Sequence, residues 1–127
     1  MRENQMTQTI IGCAIEVHRH LGPGLLENAY EAALCRELAL KQVSYQRQKP
    51  LPLTYKGLSL PQSYRLDLVV DEAVVVEVKS VTRLLEIHEA QLLTYLKLGG
   101  YQVGLLLNFN VPQLRDGIVR RVMGLEE

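Results

Sequence analysis

The chain has 127 residues, 47% of them apolar, and 14 basic against 14 acidic side chains, so its formal net charge at neutral pH is zero. That length suits one folded unit that buries roughly two-thirds of its unfolded surface, and residues 1–127 read as a single domain. Balanced charge excludes strong non-specific nucleic-acid binding by bulk electrostatics and leaves room only for a local basic patch.

No apolar run approaches the ~20 residues that span a bilayer. The opening MRENQMTQT lacks the charged-then-apolar pattern of a secretory signal. No membrane association and a cytoplasmic location are therefore expected. Cys13 and Cys35 fall in separate helical patterns without C-x-x-C spacing, and read as reduced core residues.

Met6 to Leu21 carries Ile10, Ile11, Ala14, Val17, His18 and Leu21 at helical spacing, and Gly22-Pro23-Gly24 breaks the pattern. A second helix is predicted from Leu25 to Lys41, with Leu26, Tyr30, Ala33, Leu34 and Leu38 on its apolar stripe. Glu27, Tyr30, Glu31 and Leu34 fall along one line of it. Glu27 borders the stripe in the first turn, where the helix's positive end favours a carboxylate.

Val43 to Lys49 reads as a strand, and Pro50 and Pro52 mark an edge or a bend. Leu51 to Tyr55 is a further short strand, Lys56-Gly57 a turn, and Leu58 onward leads into a central hairpin. In that hairpin Tyr64, Leu66, Leu68 and Val70 alternate with Arg65, Asp67, Val69 and Asp71, the period of a half-buried strand. The run Ala73 to Val78 is dense in valine and should lie near the middle of a sheet. Ser80 to Arg83 leaves the sheet. A third helix spans Leu84 to Leu98, ended by Gly99-Gly100. Tyr101 to Asn108 reads as a buried strand, Phe109 to Gly117 as a loop, and Ile118 to Met123 as a short last strand. The order ααββββαββ predicts an α/β fold: a central mixed β-sheet flanked by helices, in the α+β manner.

The valine-rich strand carries Glu77 and Lys79 on one face. If Asp67 lies opposite Glu77, Val70 faces Val74 and the loop is Asp71-Glu72-Ala73, a common hairpin connection. Asp67, Glu77 and Lys79 then share a face, whereas a two-residue loop would separate the acids. Two opposed carboxylates about 5 Å apart repel by about 3 kcal/mol at an effective dielectric of about 20, and a divalent cation between them reverses that sign. Lys79 beside them can hold a water or a phosphate oxygen. The plainer alternative is a surface hairpin with a Glu–Lys pair on its wet side. On the third helix, Leu84, His88, Gln91, Tyr95 and Leu98 share a face that is polar for a helix beside such a sheet, although polar helix faces are commonly just solvated.

The spacing Asp67-x9-Glu77-Val78-Lys79 resembles the signature of the PD-(D/E)XK nuclease superfamily. Gln91-x3-Tyr95, following it, resembles the Q-x3-Y element of RecB-like members. Gly24-Leu25-Leu26-Glu27-Asn28-Ala29-Tyr30 is a G-x-x-E-x-x-Y string. Together with IGCAIEVHRHLGPGLLENAY, Gln48-Lys49-Pro50-Leu51-Pro52, HEAQLLTY, Asn108-Phe109 and Arg115-Asp116-Gly117, it resembles the bacterial GxxExxY protein family over nearly the whole chain. Leu66 stands where the superfamily's proline would be, a position that carries no chemistry.

The resemblance implies a restriction-endonuclease-like core. It also implies a hydrolase site in which Asp67 and Glu77 are metal ligands, with the Val78 carbonyl as another and Glu27 as an additional acid. Lys79 would orient the attacking water or stabilise phosphate charge, and Gln91 and Tyr95 would position water, Lys79 or a DNA phosphate. His18, Tyr30 and His88 are candidates to line the same cleft, though a histidine on an apolar helical face is more often a hydrogen-bonded packing residue. The expected cofactor is Mg²⁺, with Mn²⁺ substituting, and the expected activity is metal-dependent phosphodiester hydrolysis of DNA. The alternatives are a catalytically silent nuclease-fold module that binds nucleic acid or a partner protein, and a domain whose acid pair is structural. Arg47, Lys49, Arg65, Arg83, Arg115, Arg120 and Arg121 are candidates for a phosphate-facing surface. A chain this small should grip a duplex as a homodimer or with a partner.

Overall fold

The computed structural model describes residues 2–61 and 64–124. Helices α1 (Arg2–Leu21) and α2 (Glu27–Leu40) come first. Strands β1 (Tyr45–Leu51), β2 (Thr54–Tyr55), β3 (Leu58–Ser59), β4 (Tyr64–Val70) and β5 (Val74–Lys79) follow. Helix α3 (Glu86–Gly99) leads to β6 (Val103–Asn108), a 3₁₀ turn (Leu114–Gly117) and β7 (Ile118–Val122). The expected lead from Leu58 into the hairpin crosses residues 62–63, which lie outside the described residues.

The main sheet has the order β1-β4-β5-β6-β7, and β2 and β3 pair separately. Among the described residues, only β5 and β6 run parallel, joined through α3; the other neighbours are antiparallel. The sheet is therefore mixed and flanked by helices, as a restriction-endonuclease-like core requires. The hairpin takes the register expected of it, with Val70 opposite Val74, Val69 opposite Val75 and Leu68 opposite Val76. Its turn has Asp71 and Glu72 at φ 54° and 55°, and the Ala73 amide donates to the Val70 carbonyl at 3.0 Å, the primed geometry that matches strand twist.

Two elements differ from the sequence reading. Helix α1 starts before Met6, because Arg2 donates to Asp71 Oδ2 at 2.9 Å and to the Asp71 carbonyl at 2.6 Å. That tie fastens a polar first turn that apolar periodicity does not register. β1 runs through Pro50, opposite Arg65, past the Lys49 end expected of it, and of the edge or bend that the prolines marked it is the edge that holds. β1 is an edge strand, where a missing N–H leaves no ladder bond unmade.

Alternation along the strands sends apolar side chains to two cores. Leu68, Val70, Val74, Val76, Val78, Leu105 and Leu107 pack with Ile10, Cys13, Leu34 and Leu38 of α1 and α2. Leu66, Val69, Val75 and Leu106 pack with Leu92 and Leu96 of α3. Both cysteines are free and buried, as read from their spacing. No helix among the described residues is long and apolar enough to cross a membrane.

Two glycines bring elements close enough to test the packing. A Cβ on Gly117 would lie 2.2 Å from the Asn108 carbonyl oxygen, whereas one on Gly104 would meet side-chain carbons of Leu92 and Leu96, the nearest a methyl at 2.7 Å. Backbone yields less than a side-chain tip, so Gly117→Ala should cost about 3 kcal/mol and Gly104→Ala about 1 kcal/mol. Urea denaturation of the two variants measures this, and equal losses would contradict the close approach at Gly117.

Candidate active site

The β4–β5 ladder carries Leu68 opposite Val76; at the next rung carboxylates take the place of carbonyls. The Asp67 amide donates to Glu77 Oε2 at 2.9 Å, and the Val78 amide donates to Asp67 Oδ2 at 2.8 Å. Each acid thus accepts a hydrogen bond from the other's strand. Strand alternation also breaks here, since Leu66 packs on the α3 side while Leu68 packs on the other. The paired strands open at Asp67, and the two side chains occupy the opening.

Glu77 is 5% exposed and Asp67 half-buried. Burial, then the adjacent Asp67 charge, pushes the Glu77 carboxyl up to about 8. Burial also pushes Asp67 up, and the charge of Glu31 adds to it, against the Val78 N–H, Lys79 and Gln48. Lys79 follows Glu77 on β5, half-buried, and its positive charge favours the ionised form of both acids.

Glu27 and Glu31, one turn apart on α2, have different surroundings. Glu27 is exposed and accepts the Ser80 amide at 3.1 Å, while Ser80 Oγ donates to the Leu25 carbonyl at 2.6 Å. It ties the start of α2 to the end of β5. Glu31, one turn later, is 4% exposed and acts electrostatically on both Asp67 and Glu77. Arg47 Nε donates to it, and Gln48 Nε2 lies 3.0 and 3.2 Å from its two oxygens. The same Gln48 nitrogen lies 3.4 Å from Asp67 Oδ1. Neither Glu31 nor Gln48 was singled out for a role from the sequence. The available signs were the shared helical line of Glu27 and Glu31, and the position of Gln48 at the head of the QKPLP string.

From α3, Tyr95 lies within electrostatic range of both acids. Burial raises its phenol above the ordinary range, and the charges of Glu77, Tyr64 and Asp67 raise it further, while Gln91 hydrogen-bonds to it. The remaining cleft candidates do other work. Tyr30 is fully buried, stacked on Phe109 with ring centroids 4.5 Å apart, so it cannot line a cleft. Its hydroxyl donates to the Gly22 carbonyl at 2.6 Å and accepts the Leu25 amide at 3.0 Å, which shapes the loop that delivers Glu27. His18 sits beside Phe109 with Nε2 2.7 Å from the Val111 carbonyl, as a packing histidine does. His88 Nδ1 accepts the Leu85 amide at 2.9 Å and closes the first turn of α3.

Most of the basic candidates are bonded within the protein. Arg47 holds Glu31, Lys49 donates to the Tyr101 hydroxyl at 2.7 Å, and Arg65 donates to the Gln48 carbonyl at 3.1 Å. Arg120 meets Asn4, and Arg121 meets Glu89.

Among the described residues, no group of three or more His, Cys, Asp or Glu side chains is placed to hold a metal ion. The donor chemistry nonetheless fits a hard divalent cation. The Asp67 charge raises the proton affinity of Glu77, and the Glu31 charge raises that of both acids, a repulsion that such an ion offsets; Mg²⁺ commonly takes only one or two protein carboxylates.

A family model described as the PD-(D/E)XK nuclease superfamily matches residues 4–122. No curated protein and no solved structure matches the chain significantly. The match runs from the first helix to the last strand and takes in the opened hairpin with Asp67, Glu77 and Lys79, so the chain belongs to the PD-(D/E)XK nuclease superfamily.

Proposed function

We propose that the protein is a Mg²⁺-dependent nuclease that hydrolyses phosphodiester bonds in DNA, a RecB-like member of the GxxExxY type. The observation that carries this reading is the cross-bonded pair of Asp67 and Glu77 with Lys79 next on the same strand. In this reading Asp67 and Glu77 hold the cation, with the Val78 carbonyl as a further donor. Bound there, a divalent cation supplies positive charge that lowers the pKa of water and offsets charge on phosphoryl oxygens. Lys79 presents an ammonium to the attacking water or to a phosphate oxygen. Tyr95, kept protonated by its raised pKa, donates its phenolic hydrogen toward the phosphate and is oriented by Gln91. Glu27 fits less well as a ligand than the resemblance implied; its bond to Ser80 sets the strand end that carries Lys79. Mn²⁺ substitutes for Mg²⁺ because it favours the same hard donors. We place the protein in the cytoplasm as one domain, gripping duplex DNA as a homodimer or beside a partner protein.

The test is cleavage of linear, nicked and single-stranded DNA with Mg²⁺ or Mn²⁺. Lys79→Ala should lower the rate by about 10²–10³-fold. Wild type and variant giving the same result on every substrate would count decisively against catalysis.

A second reading, a silent module that binds nucleic acid or a protein, is favoured by one observation. Both carboxylates already accept a backbone N–H across the hairpin, so the pair also closes the sheet. Binding of that kind would fall steeply with salt and ignore EDTA.

A further inference from the structure

The sequence singled out Gln48-Lys49-Pro50-Leu51-Pro52 but gave Gln48 no task, and its backbone is the strained point of β1. Gln48 has φ +54° inside an extended strand. A bulge would explain that by inserting a residue, yet Arg47 pairs with Leu68 and Lys49 with Leu66, so the register is the same on both sides. A non-glycine residue held left-handed costs roughly 1–2 kcal/mol and persists only where its surroundings enforce it. What it accomplishes here is a side-chain placement. Gln48 Nε2 lies between the buried Glu31 carboxylate and Asp67 Oδ1, at 3.0 Å from Glu31 Oε1 and 3.4 Å from Asp67. Glu31 is in turn fixed from its other side by Arg47.

We propose that Gln48 is a positioning residue that holds the Asp67 side chain in one rotamer by joining its carboxylate to Glu31. The Val78 amide holds only Oδ2, and a carboxylate held at one oxygen can still swing about that contact. A donor at Oδ1 removes the remaining freedom and fixes the direction in which the carboxylate's free lone pairs point. Groups that orient a ligating carboxylate in this way commonly govern metal affinity or activity by 10–100-fold. The proposal rests on the nuclease reading only for the consequence; the orientation itself is a property of the protein without metal.

A tether that merely joins α2 to β1 is distinguished by a variant that relieves the strain and removes the amide together. Gln48→Gly does both, and Gln48→Asn keeps an amide too short to span while tolerating a left-handed backbone. Three readouts are compared with wild type: melting temperature, Mn²⁺ affinity by isothermal titration, and the Asp67 χ1 rotamer from side-chain scalar couplings in metal-free protein. The expected result is a melting temperature unchanged or raised, one Asp67 rotamer in wild type but averaged rotamers in both variants, and Mn²⁺ binding at least tenfold weaker. Asp67 equally ordered in wild type and variants overturns the proposal, as does a loss of stability with Mn²⁺ affinity intact. A wild-type protein that neither binds Mn²⁺ nor cuts DNA sinks the nuclease reading, while the couplings at Asp67 still decide the role of Gln48.

Discussion

Asp67→Asn is expected to abolish metal-dependent cleavage, by about a thousandfold or more, while making the metal-free protein more stable above pH 8. The two effects have one cause. Asp67 and Glu77 lie across an opened hairpin from each other, and the Asp67 charge opposes the ionisation of Glu77. Asparagine keeps an oxygen to accept the Val78 amide but carries no charge, so Glu77 ionises with less opposition and the folded state gains about 1 kcal/mol or more. The same change removes half of the carboxylate charge available to a cation, and the ion's contribution to the reaction goes with it. Chemical denaturation in EDTA and calorimetric titration with Mn²⁺ measure the two sides. A destabilised Asp67→Asn would mean that the pair is a structural link and not a strained one. An asparagine variant that cuts DNA at the wild-type rate would remove Asp67 from the site.

The hairpin was legible in the sequence because its physics is local. Strand side chains alternate with period two, so one choice of loop length fixes which residues face each other, and Val70 opposite Val74 follows from the three-residue loop. The valine run likewise announced a central strand, and β5 is bonded on both sides. What the sequence did not disclose depends on contacts between distant segments. An amphipathic stripe says that Tyr30 is on the inner face of α2, but its depth is decided by Phe109, which arrives from beyond β6. Pro50 marks an edge or a bend, and which of the two it is depends on the whole sheet, which makes β1 an edge. Glu27 and Glu31 lie on one helical line, so helix geometry alone cannot rank them. The ranking comes from Arg47 and Gln48 on a different element, which bury and hold Glu31, while Ser80 draws Glu27 to the rim. The left-handed Gln48 has no signature in composition at all, since glutamine carries no preference for that conformation.

Glu77 should make the metal-free protein lose stability as pH rises, with the loss concentrated between about pH 4.5 and 8. The sign follows from proton counting. In the unfolded chain the carboxyl titrates near its ordinary 4.5, whereas in the folded protein burial and Asp67 hold it near 8. Between those values the folded state keeps a proton that the unfolded state has released, so raising the pH favours unfolding. The stabilising difference is fully present below the ordinary value and gone above the raised one. Its size over the window is roughly 3–5 kcal/mol, and the upward push on Asp67 acts with the same sign. Glu77→Gln removes this titrating group but keeps an oxygen for the Asp67 amide, so its stability should fall less steeply across that window, with only the push on Asp67 remaining, and exceed wild type at pH 9. A divalent cation acts in the opposite direction, because it binds the ionised pair and stabilises the fold in proportion to the logarithm of its concentration over its Kd. Urea titrations at pH 5, 7 and 9, in EDTA and in Mn²⁺, should therefore show a falling line that Mn²⁺ flattens in wild type and leaves untouched in Glu77→Gln. Parallel lines for the two proteins in EDTA would show that Glu77 ionises in the fold as it does in the unfolded chain. The acid pair would then lack the mutual repulsion on which its attraction for a cation depends.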